Sequence, residues 1–346
     1  MRYWLVYWIL MFSSASSFAI ERHAFIVGVN EYDNQTFERL DAPARDAMRM
    51  AKTISDLGYQ LYKPVNSVGY IVDPESTDFK DHFDRFISSV PNGSDVVFYF
   101  SGHGVGHRGD NYLMLRDANI TSIEDLDRNQ GAVVSVKHGT VSVSGVLSQL
   151  KRKNPGGVNV LFLDACRDIQ TFERSGIVPL AESKSRGSVD MFDDPPPRSD
   201  GVKGSFIGFA ASYNQVAVEN SKSVFGIFTD ELVSALKGDL ANRSIESMFN
   251  EVSQNVSTRA REFTNERTNR PYEQRPQDVK GIDGEFCLGH CAPMPEQPSR
   301  SWCATHPKWC AAGTLALGAI VISAVNASGD SEPSTSSGVQ ISLPVP

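Results

Sequence analysis

Short apolar runs and segments of helical periodicity alternate along most of the chain. The apolar runs have the length of buried strands: HAFIVGVN, DVVFYFS, VNVLFLDA and GSFIGFAAS. The helical segments repeat apolar residues every three or four positions: DAPARDAMRMAKTISDLGY, DFKDHFDRFISSV, SGVLSQLKRKN, GIFTDELVSALKG and SIESMFNEVSQNVSTRAREFTN. A hairpin is predicted around HRGDNYLML. This alternation predicts an α/β fold, in which helices cover both faces of a mostly parallel sheet.

Two of the apolar runs end in side chains that can do chemistry. FYFSGHG ends with His103 between two glycines, and LFLDACRD ends with Cys166. Because reacting groups collect beyond the carboxyl ends of parallel strands, the two side chains would face one crevice if their strands are neighbours. A histidine beside a cysteine favours the thiolate and later protonates a leaving amine. The pair predicts acyl transfer to sulfur, whereas a turn histidine and a core cysteine are the structural alternatives.

The residues two places earlier in each strand add a prediction about the substrate. Side chains two apart in a strand project to the same face, so Ser101 accompanies His103 and Asp164 accompanies Cys166. A carboxylate directly against a thiolate would disfavour the thiolate, so we expect Asp164 to point into a pocket. A carboxylate pocket selects Arg or Lys.

Four motifs in order resemble one known family. HAFIVGVNEYD, FYFSGHG, LFLDACRD and GIFTDELVSALKG are similar to motifs of the caspase-like cysteine peptidases, peptidase C14 type, and within them of the bacterial metacaspase or orthocaspase branch. The resemblance extends from about Arg22 to about Asn265. It implies a caspase-like three-layer sandwich with a His103–Cys166 dyad. The backbone amides of Gly104 and Cys166 would be the oxyanion donors.

The same resemblance implies a second pocket carboxylate. Asp46 in APARDAMRM matches an aspartate of the metacaspase pattern, although Pro43 stands where metacaspases usually have a cysteine. With Ser101 and Asp164, Asp46 would bind the basic side chain of the substrate. The structural alternative is that Asp46 stabilises the first turn of a helix through the helix dipole, with Arg45 neutralising it.

Composition fits a folded chain with one large or two smaller domains and argues against nucleic acid as a partner. The chain has 346 residues, 40% of them hydrophobic, and a net charge of −8, which gives no basic field for a phosphate backbone. No cofactor and no metal site is required by the sequence. The acidic segments at 125–130 and 190–195 lack a calcium-loop pattern, so calcium stays open.

Residues 1–19 have the layout of a secretory signal peptide. Arg2 precedes an apolar run from Tyr3 to Phe12, and small residues lead to an expected cleavage after Ala19. A retained N-terminal anchor is the alternative. Export would place the protein in the periplasm, at the envelope or outside the cell, where disulfides persist.

The catalytic domain is expected over residues 20–286, with an exposed polar loop at 167–203. The loop contains several basic residues: Arg174, Lys184, Arg186, Arg198 and Lys203. An Arg- or Lys-specific peptidase could cut itself there, whereas ordinary solvated charge is the alternative.

Residues 287–346 form a tail with four cysteines and an apolar segment at 311–325. Two disulfides are expected among Cys287, Cys291, Cys303 and Cys310, with three connectivities open. The apolar segment falls short of the roughly 20 residues that span a bilayer, so it predicts membrane association or a helix packed on the domain or a partner.

The leading hypothesis is an exported cysteine endopeptidase that cleaves protein or peptide substrates after Arg or Lys. A catalytically silent caspase-fold binding or scaffold protein of the cell envelope is the alternative from another class. A legumain-like or gingipain-like peptidase would share the His-Gly and Cys strand ends.

Overall fold

The computed structural model describes residues 19–65, 67–122, 124–127, 132–165, 202–212, 217, 225–265 and 269–291. Several sequence predictions fall on residues outside these ranges: nearly all of the signal peptide, Cys166, most of the loop 167–203, Cys303, Cys310 and the apolar segment 311–325.

The predicted alternation of strands and helices is present. The strands are β1 (Arg22–Gly28), β2 (Gln60–Leu61), β3 (Ile71–Val72), β4 (Asp95–Gly102), β5 (Gly104–His107), β6 (Asp110–Met114), β7 (Val134–Ser135), β8 (Thr140–Ser142), β9 (Val158–Ala165), β10 (Lys203–Phe209), β11 (Thr264–Asn265), β12 (Arg270–Pro271) and β13 (Gln277–Asp283). The α-helices are α1 (Pro43–Asp56), α2 (Ser76–Ser89), α3 (Glu124–Asp127), α4 (Val143–Lys153), α5 (Ile227–Lys237) and α6 (Ile245–Ala260).

Within the described residues, the central sheet has seven strands in the order β13-β10-β9-β4-β1-β2, with β3 also paired to β1. All pairs are parallel except β10 with β13, which runs antiparallel at the edge. The sequence QDVKGID of β13 carries no apolar alternation, and its side chains are exposed or half-buried. For this reason the apolar pattern did not predict this edge strand.

Two hydrophobic cores cover the two faces of the sheet. One core packs α1, α5 and α6 against residues such as Val97 and Tyr99 of β4. The other packs α2 and α4 against Phe98 and Phe100 of the same strand. Successive residues of β4 thus alternate between the two cores, as strand geometry requires. The predicted α/β fold with helices on both faces is confirmed.

A smaller antiparallel sheet, β5-β6-β8-β7, follows directly after β4 along the chain. Its first two strands, β5 and β6, form the predicted hairpin, with His107 paired to Asp110. No helix in the described part of the chain is both long and apolar enough to cross a membrane.

Gly28 at the end of β1 allows a close approach of α1 to the sheet. A Cβ atom at this position would collide with the backbone carbonyl of Pro43, the first residue of α1. Since the clash is with backbone, no side-chain movement could relieve it. The glycine therefore fixes how near the first turn of α1 lies to the carboxyl end of the sheet.

Arg22 at the start of β1 joins the two ends of the described chain. Its guanidinium donates to the carbonyls of Leu57, Leu288 and Gly289, the last at 2.7 Å. Leu288 and Gly289 lie in the short loop closed by the disulfide between Cys287 and Cys291. One of the disulfides expected in the sequence is thus present.

We expect Arg22→Ala to lower the free energy of unfolding by about 2 kcal/mol, because three buried or half-buried carbonyls lose a charged donor. Urea denaturation followed by circular dichroism measures this change. The matched control is Arg39→Ala, which removes an exposed guanidinium paired with Glu31 and Asp41 and should alter stability by less than about 1 kcal/mol. Equal effects of the two substitutions would contradict the role of Arg22.

Candidate active site

The candidate site lies at the carboxyl ends of β4 and β9, which are neighbours in the central sheet. The strands pair in register until Ser101 lies opposite Asp164 and Gly102 lies opposite Ala165. His103 is the next residue after β4. The neighbouring strands that the sequence analysis required are therefore present, while Cys166 lies outside the described residues.

His103 is oriented by the loop that follows β1. Its Nε2 atom lies 2.8 Å from the backbone carbonyl of Glu38. A carbonyl can only accept, so Nε2 carries a proton and Nδ1 is the nitrogen that can take up another. A backbone carbonyl thus fixes both the ring orientation and the tautomer, which is the role of the carboxylate in many catalytic triads.

Two aromatic rings pack against the imidazole of His103. The ring centroid of Tyr32 lies 4.8 Å away and that of Phe37 lies 5.8 Å away. The Tyr32 hydroxyl also accepts a hydrogen bond of 2.8 Å from the His103 amide. This burial lowers the pKa of His103 from its ordinary value, although the Glu38 carbonyl and carboxylate oppose the shift. The neutral imidazole, which can act as a base, is therefore favoured near pH 7.

The glycines on either side of His103 let the chain leave the central sheet. Gly102 has a φ of 155°, and a Cβ atom there would lie 3.0 Å from both the Phe100 ring and the Tyr32 hydroxyl. Gly104 is buried and begins β5, where it pairs with Leu113 of β6. The role of its backbone amide as an oxyanion donor stays a prediction.

Asp46 of α1 and Asp164 of β9 are buried against the start of α5. They are 1% and 7% exposed, respectively. The amide of Gly226 donates to both oxygens of Asp46, at 3.3 and 3.2 Å. Thr229 donates to Oδ2 of Asp164 from its amide at 3.2 Å and from its hydroxyl at 2.5 Å. The amides and the dipole at this helix N-terminus compensate for the burial of negative charge.

The two carboxylates face the same small volume. A Cβ atom built on Gly226 would lie 2.7 Å from Oδ2 of Asp164 and 3.1 Å from Oδ2 of Asp46. Ser101 reaches the same volume, because its hydroxyl lies 3.5 Å from Oδ2 of Asp46, a long and weak contact. The structure therefore brings Asp46, Ser101 and Asp164 together.

The buried Tyr99 of β4 contacts Thr229, one of the donors to Asp164. The hydroxyl of Tyr99 lies 2.5 Å from that of Thr229. Since the Thr229 proton is donated to Asp164, Tyr99 is the donor in this contact. Burial, followed by the charges of Asp46 and Asp164, raises the pKa of Tyr99 well above its ordinary value. The phenol therefore keeps the proton that it donates, and a hydrogen-bonded chain runs from Tyr99 through Thr229 to Asp164.

Residues 21–286 match the family model of the caspase domain, peptidase C14 type. The chain belongs to this caspase family. The predicted membership among caspase-like cysteine peptidases is confirmed.

Two known proteins illustrate how far the likeness of this caspase domain extends. A paracaspase from Dictyostelium discoideum is 22% identical over 234 residues, which are 66% of this chain and 47% of the relative. The chain thus spans about half the length of that curated relative. Caspase-1 from Spodoptera frugiperda superposes with a TM-score of 0.50 and 13% identity, covering 80% of this chain and 92% of that one. At this identity, the structural likeness shows the fold alone.

Several groups that contact the candidate site residues were not predicted from the sequence. They are the Glu38 carbonyl, the Tyr32 ring, the Gly226 amide and the Thr229 hydroxyl. The only available signal was the motif GIFT, in which a glycine precedes a helix with a polar residue in its first turn. In the structural alternative given for Asp46, Arg45 neutralises its charge. The Arg45 guanidinium donates to the Asp41 carbonyl at 2.7 Å.

Side chains that could bind a metal ion were compared across the described part of the caspase domain. Among the described residues, no group of three or more His, Cys, Asp or Glu side chains could hold a metal ion. These residues therefore provide no candidate calcium site.

We expect Thr229→Val to lower the free energy of unfolding by about 2 kcal/mol, because Asp164 loses a hydroxyl donor and Tyr99 loses its acceptor in a fully buried place. Thr229→Ser keeps the hydroxyl and should lose less. Chemical denaturation measures both variants.

The matched control for this prediction is Thr258→Val in α6, where the hydroxyl donates to the Gln254 carbonyl at an exposed position. It should change stability by less than about 0.5 kcal/mol. If Thr229→Val were as stable as Thr258→Val, the chain from Tyr99 to Asp164 would contribute nothing.

Proposed function

We propose that this chain is a cysteine endopeptidase of the caspase family that cleaves peptide bonds after Arg or Lys, with His103 and Cys166 as its catalytic dyad. The observation that carries the proposal is the buried pair of carboxylates, Asp46 and Asp164, beside the strand end that presents His103. The resemblance of the motifs to the metacaspase branch supports the same specificity.

The pocket proposal follows from charge compensation. Two buried carboxylates are costly unless cations or hydrogen-bond donors neutralise them. The N-terminus of α5 supplies part of this compensation through Gly226 and Thr229. A substrate guanidinium or ammonium would be attracted to the same two carboxylates, whereas an acidic side chain would be repelled. The planar, forked donors of Arg suit two facing carboxylates better than the point charge of Lys.

The proposed chemistry is acyl transfer to sulfur followed by hydrolysis. Nδ1 of His103 accepts the proton of the Cys166 thiol, and the thiolate attacks the carbonyl carbon of the scissile bond. The Gly104 amide donates to the oxyanion of the tetrahedral intermediate. The imidazolium then protonates the leaving amine, and the C–N bond breaks. Water, deprotonated by the same imidazole, cleaves the thioester and regenerates the thiol.

Three further features of the sequence complete the proposal. The enzyme would be exported by its N-terminal segment and would process itself at a basic residue in the loop 167–203. The apolar segment 311–325 would associate with a membrane. The competing function is a catalytically silent scaffold with the same fold, which predicts no hydrolysis at all.

Fluorogenic peptides ending in Arg, Lys or Asp test the enzyme and its pocket together, with and without calcium. We expect hydrolysis after Arg, weaker hydrolysis after Lys and none after Asp. Cys166→Ala should abolish it. Asp46→Asn or Asp164→Asn should lower kcat/KM for the Arg peptide by about 100-fold, because removing one partner of a buried charge pair costs about 2–5 kcal/mol.

The control for the pocket substitutions is Asp56→Asn, at the exposed end of the same helix as Asp46, where the carboxylate pairs with Lys52. It should leave kcat/KM unchanged. Cleavage only after Asp would refute the pocket, and the absence of hydrolysis under all conditions would favour the scaffold.

The pH dependence of kcat/KM tests His103 as the base. The pKa of His103 is lowered by burial, so the neutral ring should persist below the ordinary histidine value of about 6.5. Activity should therefore be retained above this lowered pKa and lost as the pH falls through it. Phe37→Ala opens one side of the ring and should move the acidic limb upward, while His82→Gln, at a site remote in sequence that pairs with Tyr62, should not. An acidic limb above 6.5 in the wild type would count against this assignment.

A further inference from the structure

The loop between β1 and α1 carries the Glu38 carbonyl that orients His103. The contacts that hold this loop in place therefore also affect the orientation of His103. Asn30, two residues after β1, closes this loop. Its backbone carbonyl accepts from the Leu40 amide at 3.0 Å, and its side-chain Nδ2 donates to the Leu40 carbonyl at 2.6 Å. The Glu38 carbonyl lies two residues before this closure. Asn30 therefore fixes the segment that holds the imidazole.

The other end of the Asn30 side chain supports α1. Its Oδ1 atom accepts from the amide of Ala44 at 2.7 Å. The residue at the N-cap position, Ala42, has no side chain that could accept this hydrogen bond. Asn30 thus caps α1 from outside the helix, and Asp46 lies in the turn that this hydrogen bond begins.

Asn30 is itself held firmly. The residue is 7% exposed, and its backbone amide donates to Oδ1 of Asp73 at 2.6 Å. Both ends of its side-chain amide are used, one as donor and one as acceptor, in different directions. Among small side chains, an aspartate would keep the acceptor only, and an alanine would keep neither.

We propose that Asn30 is a positioning residue that aligns the base and the substrate pocket together, holding the Glu38 carbonyl on His103 and the first turn of α1 beneath Asp46. This inference rests on the proposed function for its kinetic consequences. The hydrogen bonds of Asn30 themselves stand independently of any activity.

Two substitutions separate the contact of Asn30 with Leu40 from its contact with the Ala44 amide. Asn30→Asp retains an acceptor for the Ala44 amide but loses the donor to Leu40 and sets a carboxylate against the Leu40 carbonyl. It should lower kcat for the Arg peptide by about 10-fold and leave KM nearly unchanged, because a displaced base slows the reaction without loosening the pocket. Asn30→Ala loses both contacts, so it should also raise KM by about 5-fold, the equivalent of a lost helix cap.

The tautomer of His103 provides a measurement that needs no activity. Long-range proton–nitrogen NMR of the full chain, with histidine labelled and His103→Ala for assignment, should show the proton on Nε2 in the wild type above the pKa of His103. Both Asn30 variants should show a mixture of tautomers. The control is Asn34→Ala in the same loop, whose side chain contacts Thr36 and Asn119 and touches neither Leu40 nor Ala44; it should match the wild type.

The outcomes distinguish the two proposals. A mixed tautomer in the Asn30 variants supports the positioning role even if no peptide is hydrolysed, an outcome that would defeat the proposed function alone. A wild-type tautomer in both variants would overturn the inference, whatever their melting temperatures. So would the same changes of kcat and KM in Asn30→Asp and Asn30→Ala, if these changes only followed the loss of stability of each variant.

Discussion

The burial of two carboxylates at one end of a parallel sheet is the constraint on which the site depends. Asp46 and Asp164 come from different elements, α1 and β9, and burying a carboxylate without hydrogen-bond donors is costly. The donors come from a third element, because Gly226 and Thr229 lie at the N-terminus of α5. Electrostatic compensation therefore fixes the mutual positions of a helix, a strand and a second helix.

His103 is positioned by a different kind of contact. His103 gains its orientation from a backbone carbonyl and from two aromatic rings, and none of these is charged at neutral pH. The result is a neutral imidazole at the same edge of the sheet as two buried carboxylates. Such a separation is useful, because a carboxylate paired directly with the imidazole would raise its pKa and favour the protonated form.

The sequence predicted the elements that rest on side-chain pattern. Apolar periodicity located the buried strands β1, β4, β9 and β10, and parallel pairing then implied that His103 and Asp164 lie at one edge. The Glu38 carbonyl and the Gly226 amide could not be predicted in this way, since every residue has a carbonyl and almost every residue an amide. The edge strand β13 was missed because half-buried polar residues leave no apolar signal. The supporting role of Thr229 required knowledge of which helix packs on β9.

The fold and the proposed substrate specificity depend on different residues. The likeness to the Spodoptera frugiperda caspase-1 covers 80% of this chain at only 13% identity, and a shared fold does not by itself select a substrate. The proposed pocket would take its charge from Asp46 and Asp164, which are held by the N-terminus of α5. Because Gly226, the N-cap residue of α5, lies directly against both carboxylates, there is no space for a larger residue at that position without displacing them. The proposed specificity therefore depends on Gly226 as well as on the two aspartates.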